Sequence, residues 1–191
     1  MKQGILVGCS NNELNTGIKN LLEQNNYYVV DTCLTGNEIL RKATVIHPKI
    51  IILSHDISNS IGLKITEILI EDYKCIVILL LNQAEKSYAQ RKYDNPNLYF
   101  IVKPVNKPVL LNTVEIALKV DRHIQAMNDK IKRLEDDIDS RIIIEKAKGI
   151  IMEKMNISEQ AAYERLRKQS MNKKISMKDL AVSVIETMEE L

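Results

Sequence analysis

With 191 residues the chain is long enough for one or two domains with a buried core. Hydrophobic residues at 45% and charged residues at 27% are globular proportions, which excludes a chain disordered along its whole length. The formal net charge is only +2, so bulk charge selects no partner, and no uncharged apolar run approaches the roughly 20 residues a membrane span requires.

The chain opens on Met1-Lys-Gln-Gly-Ile-Leu-Val, which enters a strand-like run without the architecture of a signal peptide. The expectation is a cytoplasmic protein with no membrane partner. Through residue 104 two periods alternate. The short runs Ile5–Val7, Tyr27–Val30, Ile50–Leu53, Ile76–Leu81 and Tyr99–Val102 have the length and the Ile/Val content of strands. Between them lie stretches with helical spacing, such as Leu14, Ile18, Leu21 and Leu22, or Ile61, Ile65, Ile68 and Leu69. Thr35-Gly-Asn-Glu38 reads as a capping box opening the second helix. Five strands alternating with helices predict an α/β domain whose parallel sheet is covered on both faces. Ligands of such sheets sit at the carboxyl ends of the strands, so the residues just after each strand are the ones to examine. Cys9, Cys33 and Cys75 lie in or beside apolar runs, odd in number and without CxxC spacing. They are expected as reduced thiols packed as small hydrophobes, with no metal bound.

A fifth helix begins near Lys107-Pro108, and its pattern then changes. Ala117, Val120, Ile124, Met127, Ile131, Leu134 and Ile138 follow one another at intervals of three and four residues. A sustained 3.5-residue repeat makes a narrow apolar stripe suited to a partner helix. The seam Val120, Ile124, Met127, Ile131, Leu134 and Ile138 therefore predicts a homodimer through a coiled coil over 117–140. Packing back onto the first domain is the alternative, and the acid-rich run Glu135–Asp139 beside the seam argues against it. The helix is expected to continue to about Met155. Ser158 then caps a second helix over 159–170, and Ser176-Met-Lys-Asp179 reads as the capping box of a third.

Charge concentrates in this last part. Residues 141–178 hold ten Lys or Arg against four Asp or Glu. Such a surplus favours a polyanionic partner, because Lys and Arg beside phosphates gain from counterion release. A solvated helix face is the plainer reading of charge alone.

Ile5-Leu-Val-Gly-Cys-Ser10, His47-Pro-Lys-Ile-Ile-Ile-Leu-Ser54, Gly62 eight residues later, and Phe100-Ile-Val-Lys-Pro104 together resemble the response-regulator receiver family over about residues 1–120. The resemblance implies a flavodoxin-like, five-stranded parallel sheet in the order 2-1-3-4-5. It also implies an acceptor pocket that has lost its chemistry. The family's acidic pair falls on Cys9 and Ser10, its phosphoacceptor aspartate on Ser54 and its Thr/Ser position near Asn82; only Lys103-Pro104 is kept. Phosphoryl transfer to a carboxylate uses Mg²⁺, which seeks carboxylate oxygens. The expectation is a pseudo-receiver that works without aspartyl phosphorylation, cofactor or metal. Ser54 has no base beside it in the pattern. Asp56, the nearby carboxylate, is expected to pair with Lys103 or lie in solvent, and Lys103 to snorkel from the strand end.

Arg141, Ala147-Lys148-Gly149, Met152, Ala161, Tyr163, Leu166-Arg167 and Ala181 resemble the ANTAR domain over about residues 130–191, with Ser170 where that family commonly has alanine. The resemblance implies an RNA-binding transcription antitermination regulator, a dimer gripping tandem hairpin loops in leader transcripts. Arg141, Lys146, Lys148, Gly149, Met152, Tyr163, Arg165, Arg167 and Lys168 are the residues expected at the RNA. A glycine in mid-helix costs about 1 kcal/mol against alanine, so Gly149 points to close approach, by a ligand or by a neighbouring helix. Tyr163 is the only aromatic ring beyond Phe100. It is either a stacking surface for an unpaired base or a core tyrosine beside Leu166.

Two other classes compete: a DNA-binding response regulator, and an interaction adaptor working through the pseudo-receiver. An enzyme is not expected, because His47, His55 and His123 are scattered and no nucleophile–base or metal-ligand spacing occurs. The controlling signal is left to a regulatory protein partner that sequesters the dimer or to expression level.

Overall fold

The computed structural model describes residues 4–57 and 61–189. The first three residues, part of the leader reading, and residues 190 and 191 of the expected C-terminal span lie outside the described residues. Contacts divide the chain into two units, Met1–Arg122 and His123–Leu191.

The first unit runs β1 (Gly4–Gly8), α1 (Asn12–Gln24), β2 (Tyr28–Cys33), α2 (Gly36–Ile46), β3 (Ile50–Ser54), α3 (Gly62–Glu71), β4 (Ile76–Leu81), α4 (Gln83–Lys92), β5 (Leu98–Val102) and the start of α5 (Lys107–Met155). The five strands are parallel in the order β2-β1-β3-β4-β5, as expected. Side chains alternate across the sheet because successive Cβ atoms point to opposite faces. Ile5, Val7, Ile50, Ile52, Ile78 and Leu80 meet Ile18 and Leu22 of α1 and Leu110, Val114 and Ala117 of α5. Leu6, Ile51, Leu53, Val77, Leu79 and Leu81 meet Ile39 of α2, Ile65 and Leu69 of α3 and Ala89 of α4. β3 and β4 are buried on both faces, hence their unbroken apolar sequence.

β2 extends past Val30 to Cys33. It is an edge strand, so Asp31 and Thr32 are tolerated there, and Asp31 takes the Lys42 ammonium at 2.8 Å. The α2 cap is a variant of the box the sequence predicts. Thr35 Oγ1 accepts from Glu38 N–H at 3.3 Å, while the Glu38 carboxylate accepts from Leu34 N–H at 3.1 Å, one residue further back. Gly62 is required by contact: a Cβ there would stand 2.6 Å from His55 Cα, which is backbone and cannot yield. All three cysteines are free and buried, and burial pushes the Cys33 and Cys75 thiols up to about 11.

The second unit comprises the continuation of α5, then α6 (Glu159–Lys173) and α7 (Met177–Glu189). Ala147 and Ile151 of α5, Ala162 and Leu166 of α6, and Leu180 and Ala181 of α7 form its core. The small residues at 147, 162 and 181 let three helices close on so few side chains. Ser158 caps α6 by accepting from Ala161 N–H at 3.3 Å, and Ser176 accepts from Asp179 N–H at 3.0 Å. The buried Ser170 donates to the Ile175 carbonyl at 2.6 Å, which pins the turn between α6 and α7.

Candidate nucleic-acid interface and the vestigial acceptor pocket

At the carboxyl ends of β1, β3 and β5 the structure brings Cys9, Ser10, Ser54, Asp56 and Lys103 together. Ser54 is fully buried and donates to Asp56 Oδ1 at 2.5 Å. Lys103 Nζ donates to Asp56 Oδ2 at 2.8 Å, and the Ser10 side chain bonds the same carboxylate. Desolvation pushes the Asp56 pKa up, but the hydrogen bonds from Lys103 and Ser54 outweigh it and hold the carboxyl below its usual range. Asp56 therefore stands as the proton acceptor beside Ser54 that the sequence pattern did not show. Burial pushes the Cys9 thiol up to about 12, with the Lys103 charge opposing and the Asp56 charge adding. Asn82 is committed elsewhere. Its carboxamide accepts from Glu85 N–H at 2.9 Å and its own N–H meets the Glu85 carboxylate at 2.8 Å, the capping box of α4. A receiver's Mg²⁺ does not fit this donor set: one carboxylate, already paired with an ammonium, sits among a neutral thiol and hydroxyls.

The C-terminal module sorts its residues differently. Arg141, Lys146, Arg165, Arg167 and Lys168 are exposed, and Met152 is half-buried against the core. On α6, Tyr163 and Arg167 are four residues apart and share one flank of the buried stripe, whereas helical spacing places Arg165 on the other flank. Gly149 is exposed, and a Cβ on it would meet nothing within 4 Å. Among the described residues no neighbouring helix explains that glycine.

Lys148 corrects its expected role. Its residue is only 6% exposed, and its ammonium donates to Glu145 Oε1 and Oε2 at 2.7 and 2.9 Å and to Glu159 Oε1 at 2.7 Å. An ammonium has three donors, so none remains for a phosphate. It also lies 6.0 Å from the centre of the Tyr163 ring. Tyr163 is 43% exposed, so the core reading of that ring does not hold. Glu145 and Glu159 did not stand out in the sequence. The (i, i+3) spacing of Glu145 and Lys148 was the available signal, but the link to Glu159 is tertiary.

The seam residues Val120, Ile124, Met127, Ile131, Leu134 and Ile138 lie between 37% and 57% exposed on one stripe of α5. The same spacing continues as Arg141, Glu145, Lys148 and Met152. On that continuation Lys148 bonds Glu159 of the chain's own α6 and Met152 packs on the module's core, while Arg141 and Glu145 stay exposed.

Residues 10–115 match the response regulator receiver domain, a little over half the chain, and residues 132–185 match the ANTAR domain. The chain belongs to the response regulator receiver family and carries an ANTAR domain. This ANTAR regulator is similar to the transcriptional regulatory protein PdtaR of Mycobacterium tuberculosis, strains CDC 1551 and H37Rv. Identity is 22% over 168 residues, covering 88% of the chain and 82% of PdtaR. Among solved structures it is similar to the signal receiver domain of a modulated diguanylate cyclase from Desulfovibrio desulfuricans. There the TM-score is 0.55 and identity 18%, with 62% of this chain and 95% of that one covered. The receiver domain of AraT from Geobacillus stearothermophilus gives 0.56 and 21%, with 65% and 99% covered. These likenesses speak to the fold. The two family matches make the chain a regulator of receiver-plus-ANTAR type. Among the described residues no helix is long and apolar enough to cross a membrane.

Proposed function

We propose that this ANTAR regulator is a dimeric RNA-binding antiterminator, holding tandem hairpin loops in leader transcripts and working without aspartyl phosphorylation. Its parts are a pseudo-receiver over 1–120, a coiled-coil helix over 117–140 whose exposed seam begins at Val120, Ala117 being taken by the receiver core, and an RNA-binding module over 130–191. One observation carries the reading: the segment matched to the ANTAR family presents Arg141, Arg165, Arg167 and Lys168 to solvent, while its one buried lysine is neutralised internally. Exposed cations gain from phosphate contact, and a saturated one does not. Lys146 and Gly149 complete the proposed RNA surface, with Met152 supporting it from the core.

The exposed seam supports the dimer. Ile124, Ile131 and Ile138 take the a positions, where two-stranded parallel coils favour β-branched residues, and Val120, Met127 and Leu134 take the d positions. In register, Lys130 at g of one copy faces Glu135 at e of the other, on both sides of the seam. The coil gives out near Arg141, because the stripe turns polar there and Lys148 and Met152 are engaged within the module itself. Two tethered modules make the second loop contact effectively intramolecular, so avidity exceeds either single contact. Independence from phosphorylation is supported by the buried Ser54 and by the Asp56–Lys103 pair. Control by a regulatory protein partner acting on the dimer fits that arrangement.

The test is to sequence RNA crosslinked to the protein in its native cell. Enrichment of 5′ leaders with paired hairpins ahead of terminators is expected; enrichment of no leader class would sink the reading.

A further inference from the structure

We infer that Tyr163 is a stacking platform for one unpaired base, and that Lys148, with Glu145 and Glu159, is the set that holds its ring in place. This deepens the RNA reading and rests on it. Three observations converge. First, the Lys148 ammonium is buried between α5 and α6 and spends all three donors on the two carboxylates. Secondly, that ammonium sits under the Tyr163 ring at 6.0 Å, near the limit of a cation–π contact. Thirdly, Tyr163 is 43% exposed and no described core residue covers it, so part of its surface is open to a ligand.

Charge decides what the platform takes. One ammonium faces two carboxylates, so the ground beside the ring carries net negative charge and repels a phosphate. A neutral nucleobase meets no such penalty, and its exocyclic amino groups can donate to the outer oxygens of Glu145 or Glu159, which are about two-thirds exposed. Arg167, one helical turn from Tyr163 on the same flank, supplies the cation for the backbone of that nucleotide. The site thus separates base from phosphate over one turn of α6. Lys148 touches no RNA in this account; it is a positioning residue.

The experiment uses the full-length protein and RNA hairpins whose loops carry 2-aminopurine at each position in turn, with the remaining loop nucleotides randomised. Affinity, salt dependence and fluorescence are measured together. For the native protein one loop position is expected to lose fluorescence on binding, the signature of stacking. Tyr163→Phe keeps that quench. Tyr163→Leu abolishes it and weakens binding by about five- to a hundredfold. Lys148→Met weakens the quench while leaving the slope of log K against log salt unchanged, whereas loss of a phosphate contact would flatten it by about 0.7. Tyr163 is exposed, so Tyr163→Leu is expected to fold even where Lys148→Met does not, which unchanged far-ultraviolet dichroism checks. An unaltered quench and affinity in Tyr163→Leu would overturn the platform while leaving RNA binding intact. A flattened salt slope in Lys148→Met would overturn its positioning role. If the native protein binds no hairpin, both this inference and the RNA reading fall.

Discussion

The Ser54 hydroxyl donates a hydrogen bond to Asp56 Oδ1 at 2.5 Å, and Oδ2 of the same carboxylate accepts from Lys103 Nζ at 2.8 Å. The residue in the acceptor position is thus closed from solvent and tied to a neighbour that also occupies the pocket's lysine. Incubation with acetyl phosphate and Mg²⁺ is expected to leave the intact mass unchanged. A hydroxylamine-sensitive phosphoryl adduct on Asp56 would refute the vestigial reading of the pocket.

The carboxyl of Asp56 is held below its usual range in the folded chain. A depressed carboxylate pKa adds stability above the unfolded value and loses it as pH falls through the folded one. Its share is therefore present at neutral pH and disappears below about pH 4. Asp56→Asn should lower stability at pH 7 by less than about 1 kcal/mol, the scale of a half-exposed pair. At strongly acid pH it should match the native protein. Denaturant melts at the two pH values check this, and an equal difference at both would contradict it.

The thiols titrate in the other direction. Cys9 is raised to about 12 and Cys33 and Cys75 to about 11 by burial. A raised acid pKa means stability that is complete below the unfolded value, near 9, and is lost as pH climbs toward the folded values. Alkaline unfolding should steepen between about pH 9 and 12, and should soften when the three are replaced by alanine. Native thiols should also resist alkylation at pH 8; rapid labelling would mean that they are not buried.

Breaking the seam is expected to separate the copies. Ile131→Asp should shift the protein to monomer by sedimentation, without unfolding the receiver, because residue 131 belongs to the second unit. Lys130→Glu and Glu135→Lys should each weaken association about fivefold, and together restore it, since the rim pair is then merely reversed. A double variant no tighter than the singles would exclude the parallel register.

Gly149→Ala should raise the melting temperature, by up to about 1 kcal/mol of stability, because a Cβ there meets open space and alanine favours the helix. The same change should weaken RNA binding if ligand backbone approaches the glycine. Stabilisation with full binding would remove Gly149 from the interface.

The receiver fold was legible because its buried strands carry Ile and Val without interruption and its helices keep their apolar spacing. The end of β2 was hidden by Asp31 and Thr32, which an edge position permits. α4 buries only Ala89, so alternation, and no amphipathic stripe, signals it. At the sites, the family resemblances drew attention to Lys148 and Tyr163, and to Asp56 beside the acceptor position, but could not assign their environments. Whether a lysine faces solvent or two carboxylates depends on α6 meeting α5, a contact that local pattern does not encode. Ser170 shows the same limit. As a small residue it fits its position, yet its hydroxyl on the Ile175 carbonyl appears only in three dimensions.

The closed hydroxyl of Ser54 bears on how such a regulator could be set. A receiver with an open acceptor stores a signal as a covalent mark on a fixed number of molecules. On the proposed reading this chain has no mark to store, and the remaining variable is mass action. Dimer formed through the seam rises as the square of free chain, so a modest change in synthesis becomes a larger change in occupied leaders. The pseudo-receiver would then serve as a handle by which another protein subtracts chains from that pool.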